Sequence, residues 1–185
     1  MPNTTSSVDH LPETAPAAPR GAQAAVGTLL RQLVLATGPL TVLQAGCPHE
    51  STVVRLAQAL SENGRGRVVC CEPEGARAAA AAAAIEAAGL GRYAEVRAGS
   101  PERMLPGVPG PVDLLLLDGR PESYLPLLRL LEPRMLPGAV VVACGVRQVA
   151  RRCAEFLAHL RLPGGGYVSL PLPFGAGLEM AVCAR

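Results

Sequence analysis

Short apolar runs alternate with helical stretches along most of this chain. Between residues 24 and 36 the apolar positions Val26, Leu29, Leu30, Leu33 and Val34 recur at helical spacing, and Gly38-Pro39 stops the pattern. Residues 41–45 then read as a strand and residues 51–60 as a helix ended by Asn63-Gly64. The same alternation repeats with a strand over 67–71, a helix over 74–88 with Gly89 at its C-cap, and a strand over 93–97. A strand over 112–117 contains four consecutive leucines, which suits burial on both faces. A helix over 124–131, a strand over 139–143 and a helix over 148–160 follow. The pattern closes with strands over 167–172 and 178–182, joined by Pro173-Phe174-Gly175-Ala176-Gly177.

Repeated strand–helix alternation ending in a hairpin-like pair predicts an α/β fold. The expected architecture is a Rossmann-like, open, mostly parallel sheet of seven strands. Its last strand is antiparallel, the closing pair placing an antiparallel strand at one edge, and helices cover both faces. Residues 1–20 are rich in Pro, Thr, Ser and Ala and read as a disordered tail, with one domain over 21–185. The alanine-rich stretch 78–84 is a sound helix former and has no evident chemistry.

Composition narrows the picture in three ways. Hydrophobic residues make up 49% of the chain but aromatics only 3%, so the core must be built from Leu, Val and Ala. Seventeen basic and fifteen acidic residues give +2, too balanced for a nucleic-acid or membrane footprint. All the basic residues are Arg, which rules out a lysine base, a Schiff-base lysine or a phosphate-loop lysine. The six cysteines show no CxxC pair. No basic-then-apolar leader and no run of about 20 apolar residues appears. A cytoplasmic protein with reduced thiols is the expectation.

In open parallel sheets ligands bind at the carboxyl ends of the strands, near the point where strand order reverses. Those ends are Gly46, Glu72, Gly99-Ser100, Asp118 and Cys144-Gly145. Gly46 permits a sharp turn and close approach of a ligand to the backbone. Glu72 ends an apolar strand where a carboxylate can accept both hydroxyls of a ribose. Pro48 lacks an N–H and Glu50 places a carboxylate at the helix start, so a pyrophosphate is poorly served. A cofactor without phosphate fits better, and S-adenosylmethionine is one. Cys47, Cys71 and Cys144, with His49 nearby, could form a soft-metal or redox site, although their spacing matches no zinc pattern; buried structural thiols are the simpler reading. His49 can be a general base or a polar loop residue.

At residues 42–57, 67–73, 95–106, 113–124, 137–146 and 170–182 the chain resembles the successive motifs of class I S-adenosylmethionine-dependent methyltransferases. It is most similar to the small O-methyltransferases related to catechol and caffeoyl-CoA enzymes. The resemblance implies a cofactor site of Gly46, Cys47, Ser51, Thr52, Glu72, Pro73, Gly99, Ser100 and Asp118, with Thr52 on the methionine carboxylate and Ser100 toward the adenine. Asp118 and His49 are the implied catalytic helpers.

The chain departs from the family at several of these positions. Gln44 replaces an acid ahead of the loop, and Pro48 and Glu50 replace loop glycines. Arg120-Pro121 and Cys144-Gly145 stand where metal-dependent members carry Asp-Lys and Asp-Asn. No magnesium site is therefore expected, because magnesium needs oxygen ligands. The implied function is transfer of a methyl group to a small molecule, O-directed and metal-independent. The alternative is a binding or partner protein on an inactive methyltransferase fold. No nucleic-acid or membrane partner is expected. The acceptor site looks thin unless a second subunit completes it, so a homodimer is one expectation.

Overall fold

A computed structural model describes residues 20–184, with side chains from residue 24. The expected tail therefore lies outside the described residues, except Arg20, which starts a helix. In chain order the elements are α1 (Arg20–Thr37), β1 (Thr41–Ala45), α2 (Glu50–Glu62), β2 (Arg67–Glu72), α3 (Gly75–Ala87), β3 (Ala94–Ala98) and α4 (Pro101–Met104). They continue with β4 (Val112–Leu117), α5 (Tyr124–Leu131), β5 (Met135–Cys144), α6 (Ala154–Arg161), β6 (Tyr167–Leu172) and β7 (Leu178–Cys183).

The seven strands form one sheet in the order β3-β2-β1-β4-β5-β7-β6. Strands β1 to β5 pair in parallel, and β7 runs antiparallel to both its neighbours. This is the Rossmann-like sheet expected from the alternation, with one refinement. The antiparallel strand does not occupy the edge, because β7 inserts between β5 and β6, and β6 becomes the edge strand. The mixed apolar and polar sequence of the closing pair specifies a hairpin but not which arm docks on β5. Alternation decides it: Ala181 and Cys183 are buried on one face, whereas Val168 and Leu170 stay exposed.

Period-two alternation sends the strands' side chains to two cores. One is packed under α5 and α6 and holds Leu43, Val69, Leu115, Leu117, Val141, Tyr124 and Phe156. The other is packed under α1, α2 and α3 and holds Val42, Val68, Leu114, Leu116, Val142, Leu30, Leu56 and Ile85. The four leucines of β4 are fully buried, two on each side, which is why that strand reads as a continuous apolar run.

The last helix is shorter than its periodicity predicts. Residues 148–153 form turns and α6 begins at Ala154. The N–H groups of Val146 and Arg147 donate to the carbonyls of Gly177 and Ala176, which ties the segment after β5 to the β6–β7 loop. The buried Cys153 thiol and N–H both donate to Val149 O, which closes this turn ahead of α6. Among the described residues no helix is long and apolar enough to cross a membrane.

Candidate active site

The chain builds β1, β2 and β3 outward in one direction, then crosses back to place β4 on the other side of β1. The reversal leaves a crevice beyond the carboxyl ends of β1 and β4, where Gly46 and Asp118 stand. The ladder continues past the strand ends: Gly46 N–H donates to Cys71 O (2.8 Å), Asp118 N–H to Ala45 O (2.9 Å) and Gly99 N–H to Glu72 O (2.9 Å). These bonds fix the loops that rim the crevice.

Gly46 is required there for two reasons. Its φ is +87°, a region that side chains rarely adopt, and a Cβ would lie 2.6 Å from Gly119 Cα and 2.7 Å from Asp118 O. Behind the turn, the fully buried Gln44 donates from Nε2 to Gly46 O (2.9 Å). Its Oε1 has no hydrogen-bond partner in the chain. A buried acceptor therefore stands without a donor directly behind the loop.

Two cavities meet at this crevice. The larger, about 580 Å³, is lined by Gly46, Pro48, Glu72, Pro73, Glu74 and Arg77 on one side and by Glu102, Asp118, Gly119 and Arg120 on the other. That volume falls within the range of small-molecule and cofactor sites. The smaller, about 150 Å³, is lined by Val26, His49, Thr52, Cys144, Phe174, Ala176 and Leu178 among others. Asp118 and Pro48 line both.

Glu72 closes one end of the larger cavity. It is buried, and its carboxylate accepts four hydrogen bonds: from Cys47 N–H (2.6 Å), Glu74 N–H (2.9 Å), and Arg77 Nε (3.1 Å) and Nη2 (2.8 Å). Burial alone would raise its pKa, but the two backbone donors and Arg77 outweigh it and hold the carboxyl below its usual range. Asp118 is the opposite case. It is half-buried, and desolvation pushes its pKa up to about 7, opposed by the Cys144 thiol that bonds it and aided by the Glu72 charge. Burial and the Asp118 charge in turn keep the Cys144 thiol protonated well above its ordinary pKa. Two carboxylates at opposite walls are thus held in different protonation regimes, one ionised and one poised near neutrality.

The structure brings together Gly46, Glu72, Pro73 and Asp118 in the larger cavity, and His49, Thr52 and Asp118 in the smaller. It leaves Cys47, Ser51, Gly99 and Ser100 off both linings. The Cys47 side chain is buried under α2, where its thiol donates to His49 O (3.6 Å), and it is the backbone N–H that reaches Glu72. Ser51 is exposed on α2. The Ser100 hydroxyl donates to Glu102 Oε2 (2.5 Å), so Glu102 rather than Ser100 is presented to the cavity. Arg77, Glu74 and Glu102 line the larger cavity without having been singled out in the sequence, and Arg120, noted there only as a departure from the metal-dependent pattern, joins them. Arg77 lies five residues beyond Glu72, where the first turns of α3 return over the end of β2.

Among the described residues no group of three His, Cys, Asp or Glu side chains stands together as a metal site. Cys71 faces the α5–α6 core while Cys47 and Cys144 lie on the other side, so the cysteines near this edge do not converge. The side chain bonded to the Asp118 carboxyl is the Cys144 thiol, a poor ligand for magnesium.

Residues 43–143 match the family described as methyltransferase domain. No curated protein matches the chain by sequence. Among solved structures, the chain is similar to the O-methyltransferase from Bacillus cereus in complex with SAH, at 24% identity and a TM-score of 0.72, covering 86% of this chain and 80% of that one. It is similar to the O-methyltransferase TomG from Streptomyces achromogenes, involved in tomaymycin synthesis and solved with SAM, at 23% identity and a TM-score of 0.75, covering 95% and 84%. It is also similar to SAH-bound PaMTH1 of Podospora anserina, a methyltransferase, at 14% identity and a TM-score of 0.76, covering 98% and 100%.

Proposed function

The chain belongs to the methyltransferase domain family, and on that premise we propose that it transfers a methyl group from S-adenosylmethionine to a hydroxyl of a small molecule, without a metal ion. The observation that carries this reading is the position of Asp118 in the wall between the two cavities. A cofactor in the larger cavity and an acceptor in the smaller would meet at that carboxylate.

The residues present fit the cofactor. The Glu72 carboxylate serves a ribose, and Gly46 lets a ligand approach the backbone closely. Pro48 and the carboxylates of Glu72, Glu74 and Glu102 make the same cavity a poor home for a pyrophosphate. Neighbours of this fold bind SAM or SAH. When bound, the cofactor supplies an electrophilic methyl group.

The chain's own contribution is placement and one proton. The smaller cavity is walled in part by Val26, Phe174, Ala176 and Leu178, which favour a compact acceptor with an apolar body. Holding an acceptor oxygen against the methyl-bearing cavity converts an encounter into an intramolecular step. With its pKa raised to about 7, Asp118 can take the acceptor's hydroxyl proton near neutral pH, and His49 is the second polar group at that wall. Titration calorimetry with S-adenosylmethionine tests the reading: we expect binding by the native chain and none by Glu72→Ala. Transfer of labelled methyl to hydroxylated acceptors should persist in EDTA. Absence of binding at millimolar ligand would refute the cofactor, and loss of transfer in EDTA would refute metal independence.

A further inference from the structure

Arg77 takes no part in the reaction above, yet it covers the group that the cofactor most needs. A carboxylate oxygen offers about two acceptor positions. On Glu72 the Oε2 accepts the Cys47 N–H, whereas Oε1 accepts the Glu74 N–H together with both Nε and Nη2 of Arg77. The guanidinium thus crowds the one oxygen that a ribose diol would need in order to bond both. The Glu72 side chain is only 2% exposed with Arg77 in place, so a diol cannot bond both of its oxygens while the arginine stays. The Arg77 side chain itself is 48% exposed and has room to swing outward. It also has somewhere to go, because its Nη1 already pairs with the exposed Glu74 at 2.6 Å.

We propose that Arg77 stands on Glu72 in place of the cofactor ribose and sets cofactor affinity, because each binding event must move it from Glu72 to Glu74. The inference rests on the reading of the larger cavity as the cofactor site. Glu72 would otherwise be a buried charge in an empty cleft, and the arginine stabilises it until a diol replaces the guanidinium. Arg77 acts through Glu72 and is not a catalytic residue.

The two roles an arginine can have here predict opposite signs. If Arg77 merely holds Glu72 in position, removing it weakens binding. If it competes with the ribose, removing it tightens binding. The test is titration calorimetry of the full chain with S-adenosylmethionine for the native protein, Arg77→Ala and Arg77→Lys. We expect Arg77→Ala to lower Kd about five- to tenfold, the scale of one charge-assisted contact at a half-exposed position. Arg77→Lys, which keeps the charge but loses the paired N–H donors on Oε1, should fall between. Raising salt should narrow the gap between native and Arg77→Ala, since it weakens the competing ion pair. Equal or weaker binding by both variants, while the native chain binds, overturns this inference and leaves the proposed function standing. No binding by any of the three overturns the cofactor reading and this inference with it.

Discussion

Replacing Asp118 with asparagine should abolish methyl transfer and at the same time make the fold more resistant to unfolding, increasingly so as pH rises. The perturbation removes an ionisable group whose pKa is pushed from 3.8 up to about 7, chiefly by burial. Asparagine keeps an acceptor for the Cys144 thiol, so the local contact survives. The sign follows from proton binding. Between pH 4 and pH 7 the folded state holds the Asp118 proton and the unfolded chain does not, so stability falls as pH rises through that window and levels off above it. Each unit of difference is about 1.4 kcal/mol. From pH 5 to pH 8 about two units of that window are crossed, an upper figure of about 3 kcal/mol; solvent reaching this half-buried group reduces it to about 1–2 kcal/mol. Chemical denaturation of native and Asp118→Asn protein at both pH values measures it directly. The variant's advantage should be larger at pH 8 than at pH 5 by that amount. An advantage that is equal at the two pH values, or larger at pH 5, would refute the raised pKa. Native activity should correspondingly rise with pH through about 7, as the carboxyl becomes a base.

Gly46→Ala should destabilise the protein by about 2 kcal/mol or more and lose cofactor binding, because the Cβ would meet the backbone of Asp118 and Gly119 and the φ is positive; thermal melts and calorimetry check both. Phe174→Ala should raise the acceptor KM severalfold while leaving cofactor Kd unchanged, since Phe174 lines only the smaller cavity of the two; a matching change in cofactor Kd would contradict the division of roles. Arg161→Ala should cost about 1–3 kcal/mol, because the fully buried Glu179 loses its two-pronged partner (2.8 and 2.5 Å) and keeps only the Ser169 hydroxyl. The Glu179 carboxyl is held below its ordinary pKa although burial opposes this, because Arg161 and Ser169 favour the charged form. That stabilisation is present at neutral pH and lost as pH falls below about 4, and a denaturation series in pH should show the native and variant curves converging there.

The order of elements was legible because β1, β2, β4 and β5 carry compact apolar runs bounded by glycine or proline, and Gly46 and Glu72 stand at strand ends where only a few residue types serve. The strand order β5-β7-β6 was not legible, since both arms of the closing hairpin are mixed in character and docking on β5 is a tertiary choice. The delayed start of α6 was hidden for a similar reason. Helical spacing persists through Val149 and Phe156, but the Gly177 and Ala176 carbonyls hold the chain ahead of it in turns. At the site, Asp118 announced itself by position alone; its raised pKa depends on burial that no local pattern records. Arg77 was concealed by the alanine-rich helix that carries it, whose composition speaks only of helix formation. Ser100 looked like a ligand contact because it follows β3, yet its hydroxyl is spent on Glu102.

A crystal structure of the chain soaked with S-adenosylhomocysteine tests the central claim most directly. The account predicts density in the larger cavity, with the ribose hydroxyls on Glu72, Arg77 turned out to Glu74, and the sulfur facing Asp118 and the smaller cavity. An empty cavity at saturating ligand, or ligand bound away from Gly46 and Glu72, would contradict it.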